Sequence, residues 1–219
     1  MRVGVVTDTH VGEYLETLPE VVTAALAGCD HIIHAGDISR AWVLDELRAI
    51  APLTAVQGDH DTFGDIDLPR SAVVTLEGVR VGVTHGRRWY PLEVAVTLVT
   101  VLSNGRVRWD GRLDRSLLGR TGPVDILIFG HWHVPVMRRI GRTLVFCPGA
   151  VCPWGSMQNA RAPRTGPGGI VDRTVHRFRA LQGAEAMAPA VGIIEIDAGR
   201  VTATRVVLEG PSTPGGAER

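Results

Sequence analysis

The sequence predicts an α/β fold, a sandwich of two mixed β-sheets flanked by helices. Short apolar runs rich in β-branched residues alternate with longer segments whose apolar residues recur at helical spacing, as is typical of layered α/β proteins. Three dipeptides, Glu77-Gly78, Gly141-Arg142 and Ala198-Gly199, separate pairs of apolar runs and predict hairpins. A chain of 219 residues can bury a substantial core, so we expect a single domain over residues 1–208.

The predicted elements follow one another with short connections. Helical segments are expected where apolar residues such as Leu44 and Leu47 recur about one turn apart, and strands where β-branched residues cluster. The predicted helices are Pro19–Ala27, Ala41–Ala49, Leu92–Leu102 and Asp114–Leu118. The predicted strands are Val3–Val6, Ile32–Ala35, Leu53–Val56, Ala72–Leu76, Val79–Thr84, Val124–Phe129, Val134–Ile140, Thr143–Phe146, Val191–Ile196 and Val201–Leu208.

Residues 155–190 form a polar insert rich in Gly, Pro and Arg. The insert contains more basic than acidic side chains: Arg161, Arg164, Arg173, Arg177 and Arg179 against Asp172 and Glu185. Long loops of this kind are either functional or unstructured. Two interpretations therefore stay open, a basic lid that contributes to substrate choice and a disordered excursion. Residues 209–219, rich in Pro and Gly, predict a flexible tail.

Composition excludes several classes of protein. With 23 basic and 23 acidic residues the formal charge is zero, so long nucleic acid is not an expected partner. Cys29, Cys147 and Cys152 have no spacing that builds a disulfide framework. The N-terminus enters the first predicted strand at once, without a signal peptide, and no apolar stretch reaches the ~20 residues of a membrane helix. We expect a cytoplasmic protein with no membrane segment; homo-oligomerisation is left open.

Five short motifs of His and Asp carry the functional information. Each follows a predicted strand directly or within a residue or two, so their side chains are expected to gather along one edge of a sheet. Oxygen and nitrogen ligands gathered in this way predict a pocket for two divalent metal ions. The motifs are Asp8-Thr9-His10, Gly36-Asp37, Gly58-Asp59-His60-Asp61, Thr84-His85-Gly86 and Gly130-His131-Trp132-His133.

These ligand types suit one kind of chemistry. A phosphoester resists attack because its oxygens are negatively charged and water is a poor nucleophile. Two cations about 3.5–4 Å apart bind the phosphoryl oxygens and lower the pKa of a shared water. Mixed imidazole and carboxylate ligation favours Mn, Fe, Zn or Ni over Ca or Mg. Because the motifs contain no cysteine, a thiolate-rich structural zinc site is not indicated.

The order of the motifs resembles that of the calcineurin-like metallophosphoesterase superfamily, D-x-H, G-D, G-N-H-[DE], H and G-H-x-H. The resemblance extends from Asp8 to His133 and implies a metallophosphoesterase-type sandwich. It also implies that His60 protonates the leaving group and that Asp61 orients its ring. The metal ligands that the resemblance implies are Asp8, His10 and His133 for the first ion, Asp37 as the bridge, and Asp59, His85 and His131 for the second ion.

The chain departs from this pattern at two places. Asp59 stands where the family usually has Asn, which adds one negative charge to the site. After the last motif the sequence reads Cys147-Pro148-Gly149-Ala150 and Pro153-Trp154, where the small bacterial and archaeal phosphodiesterases that it resembles usually carry Asn-Pro-Gly-Ser and Pro-Arg. The first departure affects the expected metal preference and rate more than the reaction class.

Each motif residue also has a structural interpretation. Aspartates beside glycine or after a strand are common turn residues, and a single histidine is more often an ordinary polar residue than a ligand. The combination favours the functional interpretation, because five of the eight histidines fall inside the motifs. We interpret His31 and His34 as structural, and His176 is left unassigned.

The sequence therefore predicts a metal-dependent phosphoester hydrolase, with a phosphodiesterase acting on a small or exposed phosphoester as the leading hypothesis. A phosphomonoesterase acting on nucleotides or phosphoproteins is one alternative. The other is a non-catalytic, protein-binding scaffold, because the resemblance implies that some members of the fold bind partners instead. A scaffold does not need His60 and the complete set of metal positions, and this chain has them, which favours the enzyme.

Overall fold

Two five-stranded β-sheets pack against each other in the computed structural model of the chain. The structure describes residues 1–63, 66–107, 110–152, 173–174, 177–178 and 180–209. The predicted flexible tail lies outside the described residues except for its first residue, as do His176 and most of the polar insert. No helix in the described ranges is long and apolar enough to cross a membrane.

The described residues form ten strands, four α-helices and a short 3-10 helix at His60–Phe63. The strands are β1 (Arg2–Val6), β2 (His31–His34), β3 (Leu53–Ala55), β4 (Ser71–Leu76), β5 (Val79–Thr84), β6 (Ile126–Ile128), β7 (Val136–Ile140), β8 (Thr143–Cys147), β9 (Ala190–Asp197) and β10 (Arg200–Val207). The helices are α1 (Glu20–Leu26), α2 (Ala41–Ile50), α3 (Tyr90–Leu102) and α4 (Asp110–Thr121).

Both sheets are mixed. The first has the order β10-β9-β1-β2-β3, in which β1, β2 and β3 are parallel and β9 and β10 are antiparallel additions. The second has the order β4-β5-β6-β8-β7, in which β5, β6 and β8 are parallel. The predicted fold class is thereby confirmed, and the three predicted hairpins are β4–β5, β7–β8 and β9–β10.

Some predicted boundaries differ from the structure. Helix α4 covers Asp110–Thr121, longer than the predicted Asp114–Leu118, and α3 begins at Tyr90, two residues before its predicted start. Pro91 lies in the first turn of α3, where a missing backbone N–H costs nothing because no helical acceptor precedes it. Apolar periodicity does not detect polar or proline-containing turns at the ends of a helix, such as both ends of α4 and the first turn of α3.

Alternating strand residues build cores on both sides of each sheet. Val3 and Val5 of β1 face the second sheet, where they pack in one cluster with residues such as Ile128 and Phe146. Val6, on the opposite face of β1, packs with Leu26 and Leu47 of the helices that cover the first sheet. On the outer face of the second sheet, Leu127 and Val145 pack with Leu117 of α4. The sheets are therefore held by burial on both faces, and their strand ends are in fixed positions.

The packing of the core predicts that two valines of the β4–β5 hairpin contribute differently to the free energy of unfolding. Val83 of β5 is fully buried, whereas Val73 of β4 is 45% exposed. Val83→Ala removes two methyl groups and leaves a cavity, so we expect it to lower the free energy of unfolding by roughly 2–3 kcal/mol. Val73→Ala should lower it by less than about 1 kcal/mol. Urea denaturation of both variants measures the difference, and equal losses would contradict the packing between the sheets.

Candidate metal centre

All five motifs lie in loops that follow parallel strands, at one end of the sandwich. The loops after β1, β2 and β3 come from the first sheet, and those after β5 and β6 come from the second. Because the carboxyl ends of parallel strands meet at the same edge, polar side chains from the two sheets are brought together there. Residues 7–10, 35–37, 58–61, 84–86 and 130–133 form this edge.

The seven predicted ligands converge in overlapping groups. Asp8, His10 and His133 form one group in which the potential ligand atoms lie within 4.8 Å of one another, and Asp59, His85 and His131 form another. Asp37 belongs to groups with members of both, since it joins His10 and His60 in one and Asp8 and His85 in another. The structure thus gives Asp37 the central position that a bridging carboxylate requires.

Distances within the first group are short. His133 Nε2 lies 3.5 Å from Asp8 Oδ1, and His10 Nε2 lies 3.3 Å from His133 Nε2. His10 Nε2 is also 3.6 Å from Asp37 Oδ2. Asp8, His10, Asp37 and His133 are all buried. The three side chains around Asp37 therefore direct two imidazole nitrogens and a carboxylate oxygen to one point.

The second group is built in the same way on the other side of Asp37. His85 Nε2 lies 3.3 Å from Asp37 Oδ2, and its Nδ1 faces the carbonyl oxygen of Ala35 at 2.9 Å. His131 Nδ1 lies 3.3 Å from Asp59 Oδ2. A hydrogen bond on one ring nitrogen determines the tautomer and leaves the other nitrogen for a metal. His85 is thus prepared to bind through Nε2 and His131 through Nδ1.

Electrostatics of the group suit a cation. Burial acts to raise the pKa of Asp8, but His133 and His85 outweigh it and hold this pKa well below its usual range. The pKa of Asp37 is lowered in the same sense, against burial, by His85 and His10. Burial acts to lower the pKa of His85, yet the neighbouring Asp37 raises it to about 10. Two buried carboxylates are therefore ionised and need positive charge beside them.

The donor set fits divalent metal ions. His10 Nδ1 and His85 Nε2 are buried ring nitrogens without a hydrogen-bond partner of good geometry, and buried polar atoms of this kind call for an explanation. His85 Nε2 lies 3.3 Å from Asp37 Oδ2, and a divalent cation would be held there in place of the ring proton. Neutral imidazoles combined with carboxylates are the ligands that Mn, Fe, Ni and Zn accept. The residues present can hold such ions, and the groups around Asp37 offer two adjacent positions.

Backbone strain is concentrated in the same loops. Asp8, His10, Asp37, His131 and His133 all have positive φ angles, between 49° and 80°. Left-handed backbone costs a non-glycine residue about 1–2 kcal/mol, and such conformations cluster at functional sites. Five of the seven predicted ligands are strained in this way, so the fold places their side chains at a cost to stability.

Two glycines allow the loops to approach each other closely. A Cβ atom added at Gly58 would collide with the backbone nitrogen of Asp37, and one added at Gly130 would lie 2.5 Å from Asp8 Oδ2. Real Cβ atoms do not make such contacts, so both positions require glycine. The glycines of the third and fifth motifs are therefore explained by contact with the predicted ligands.

Asp61 has different contacts from those expected. Its carboxylate does not orient the His60 ring; it is fully buried and accepts hydrogen bonds from backbone N–H groups. Oδ2 accepts from Asp37 and Gly58 at 3.0 and 2.7 Å. Oδ1 accepts from Ile38 and Ser39 at 2.8 Å each. Asp61 lies in the 3-10 helix His60–Phe63, where its side chain is buried, and it consequently joins the second and third motifs.

The carboxylate that contacts the His60 ring is the side chain of Glu13. His60 Nδ1 lies 2.7 Å from Glu13 Oε2, and the His60 side chain is 38% exposed. Burial acts to raise the pKa of Glu13, but the His10 ring, whose Nδ1 lies 3.5 Å from Glu13 Oε2, and the charge of His60 lower it to about 2. The backbone N–H of His60 donates to Asp37 Oδ1 at 2.9 Å. His60 is thus held at the edge of the candidate centre by Glu13 and Asp37.

Sequence reasoning missed three residues around the site. Glu13 lies three positions after His10, and Arg87 two positions after His85; their closeness to a motif was the available signal. Glu93, in the first turn of α3, lies 3.2 Å from His131 Nε2 and accepts a hydrogen bond from the backbone of Arg88. It is the sole charged residue of α3, and a lone carboxylate in an apolar helix could have indicated a role.

The other histidines behave as expected where the structure describes them. His34 is buried, and its ring contacts Thr9 Oγ1 at 3.2 Å and the backbone N–H of Gly36 at 3.2 Å. His31 Nε2 lies 2.8 Å from Thr54 Oγ1. Burial lowers the pKa of His34 to about 4, which keeps the ring neutral. Both residues therefore serve the structure of the first sheet.

One part of the polar insert contacts the fifth motif. Phe178 is buried, and its ring packs edge-on against Trp132 with centroids 5.0 Å apart. Trp132 stands between His131 and His133 in the chain. The described end of the insert is therefore anchored on the loop that carries two of the predicted ligands.

Comparison with known proteins gives the class of the chain. The sequence profile of the calcineurin-like phosphoesterase superfamily domain matches residues 1–163. The chain therefore belongs to this family of phosphoester hydrolases. Its fold is the one that the resemblance of the motifs implied.

Particular relatives come from archaea and from a eukaryote. A probable metallophosphoesterase of Methanothermobacter thermautotrophicus is 34% identical over 150 residues, which cover 68% of this chain and 77% of the relative. A phosphodiesterase of Methanocaldococcus jannaschii is 24% identical over 169 residues, 69% of this chain and 85% of the relative. The solved structure of Vps29 from Entamoeba histolytica, complexed with zinc, has a TM-score of 0.58 at 20% identity and covers 95% of this chain and all (100%) of that one.

The contacts of Asp61 predict a stability effect. Asp61→Asn replaces one acceptor oxygen by an NH₂ group and leaves two buried backbone N–H groups unpaired, so we expect a loss of roughly 2–5 kcal/mol in the free energy of unfolding. Asp45→Asn, on an aspartate whose side chain is 76% exposed on α2, is the control and should change stability by less than about 0.5 kcal/mol. Denaturant titration measures both. A stable Asp61→Asn variant would contradict the structural role.

Proposed function

We propose that the protein is a two-metal phosphodiesterase that hydrolyses a small or exposed phosphoester. The observation that carries this proposal is the position of Asp37 between two groups of ligands. A single shared carboxylate with imidazole and carboxylate ligands on both sides is the arrangement of two-metal phosphoester hydrolases. Membership in the phosphoesterase family supports the reaction class.

In this proposal Asp8, His10 and His133 hold the first ion with Asp37, and Asp59, His85 and His131 hold the second with the same Asp37. When bound, the two ions supply Lewis-acid charge for the phosphoryl oxygens and a water of lowered pKa. Mn, Fe, Zn and Ni all suit this donor set, so the native pair is a matter for measurement. Ionised carboxylates at Asp8 and Asp37 supply the negative charge that two dications require.

His60 is the proposed proton donor to the leaving alkoxide. With Nδ1 engaged by Glu13 at 2.7 Å, Nε2 is the ring nitrogen left to hold or release a proton. The ring lies edge-on to His10, with centroids 4.7 Å apart, and is partly exposed at the rim of the site. Glu13 is a positioning residue here, because it orients the ring.

Preference for diesters over monoesters rests on the relatives. The matched protein of Methanocaldococcus jannaschii is named a phosphodiesterase, and we extend that preference to this chain. A screen of mono- and diesters with added Mn²⁺ or Ni²⁺ tests it, with the full chain as purified. Faster hydrolysis of monoesters would replace the diester assignment by a phosphomonoesterase. A small phosphoester remains the proposed partner, and neither membrane nor long nucleic acid is proposed.

Metal content tests the bridging role of Asp37. The wild-type chain should bind about two divalent cations, and Asp37→Ala should lose both, because both groups share this carboxylate. Elemental analysis after gel filtration measures the stoichiometry. Asp197→Ala, at an exposed position of β9, is the control and should retain both ions. Retention of two tightly held metals by Asp37→Ala would overturn the assignment.

Replacing His60 separates chemistry from metal binding. His60→Ala should keep both metals yet reduce turnover by roughly 10²–10⁴-fold on alkyl diesters, the usual contribution of a positioned acid–base group. The loss should be smaller on nitrophenyl esters, whose leaving group needs little protonation. Steady-state kinetics on the two substrates give the comparison, and unchanged turnover on alkyl esters would show that His60 is a bystander.

Glu13→Gln provides a matched variant for the same measurement. It keeps the size of the side chain but removes the charge that faces His60 Nδ1, so turnover should fall by less than in His60→Ala and with the same leaving-group dependence. In the double variant the Glu13 change should add little, because it acts through the imidazole. Full additivity would mean that Glu13 acts elsewhere.

A further inference from the structure

Asp59 introduces a negative charge that the family pattern does not contain, and in the structure its carboxylate contacts an arginine. Arg87 Nη1 lies 3.0 Å from Asp59 Oδ1. Arg87 comes two residues after His85, on the loop between β5 and α3. The side chains are 56% and 25% exposed, respectively, so the pair lies at the rim of the centre and not in its core.

The two oxygens of Asp59 have different environments. Oδ1 accepts from the guanidinium of Arg87 at 3.0 Å, whereas Oδ2 lies 3.3 Å from His131 Nδ1 and belongs to the group formed with His85. An amide side chain offers a metal one oxygen and no net charge. A carboxylate also offers a metal one oxygen and no net charge when a guanidinium binds its second oxygen and offsets its negative charge.

We propose that Asp59 and Arg87 form a charge-neutral unit that replaces an asparagine, and that Arg87 thereby sets the affinity of the second metal position and of the anionic substrate. This inference rests on the proposed function, because it takes Asp59 as a ligand. Arg87 is a positioning residue that acts through Asp59. Its charge opposes the binding of a cation and favours the approach of a phosphoester anion.

The net charge of the Asp59–Arg87 pair predicts how the wild type and three variants rank in their affinity for the second cation. Relative to the wild type, Arg87→Ala makes the unit one charge more negative, Asp59→Asn makes it one charge more positive, and the double variant restores neutrality. Affinity for the second cation should therefore rise in Arg87→Ala, fall in Asp59→Asn and return close to the wild-type value in the double variant. KM for an anionic diester should follow the same order, highest in Arg87→Ala.

The experiment is a calorimetric titration of Mn²⁺ into the metal-free form of each full-length protein, followed by steady-state kinetics at saturating metal. We expect the second Kd to be roughly two- to fivefold tighter in Arg87→Ala, the range of a partly exposed ion pair. The effect should shrink as ionic strength rises. Arg48→Ala breaks a similar surface pair, with Asp45 at 2.9 Å on α2, and should leave both quantities unchanged.

The possible outcomes separate this inference from the proposed function. Weaker or unchanged metal binding in Arg87→Ala, or a double variant that does not return towards the wild type, overturns the charge-neutral unit. Asp59→Asn without effect on the second Kd shows that Asp59 is not a ligand, and both the unit and that part of the centre then fail. A wild type that binds no second cation removes the two-metal proposal itself.

Discussion

The buried carboxylate of Asp61 is the interaction on which the candidate centre depends. It accepts hydrogen bonds from the backbone of Asp37, Ile38 and Ser39 after β2, and from Gly58 after β3. These loops belong to neighbouring parallel strands, and the backbone N–H of His60 adds one further hydrogen bond between them, to Asp37 Oδ1. A charged acceptor makes bonds about twice as strong as a neutral one. It therefore holds Asp37 at the centre of the site in a strained conformation.

The strained backbone positions and the buried charges of the candidate centre belong to the same loops. The positive φ angles of five predicted ligands are tolerated because buried strands hold both ends of each loop. Burial acts to raise the pKa of Asp8 and Asp37, but the surrounding imidazoles outweigh it, so both carboxyl groups have lowered pKa values and are ionised. Stability of the free chain is reduced by these features, and a bound cation would relieve the charge.

A second layer of residues surrounds the ligands and comes from two segments. Glu13, in the loop after β1, faces His60, while the stretch between β5 and the start of α3 supplies Arg87 beside Asp59 and Glu93 beside His131. Contacts of this kind determine tautomers and charge, and they adjust a metal site without changing its ligands. The departure at Asp59 thus becomes intelligible only together with Arg87.

The sequence by itself determined the fold class and the order of the strands, because strand composition is a local signal. The order of the motifs also predicted seven candidate ligands, through the resemblance to a family, and the structure brings these residues together. The sequence did not determine the ends of α3 and α4, where a proline and polar residues hide the periodicity. The partners of Asp61, Glu13, Arg87 and Glu93 were decided by tertiary structure alone. A carboxylate beside a histidine in the chain need not contact it, since the direction of each side chain depends on how loops from two sheets pack against one another.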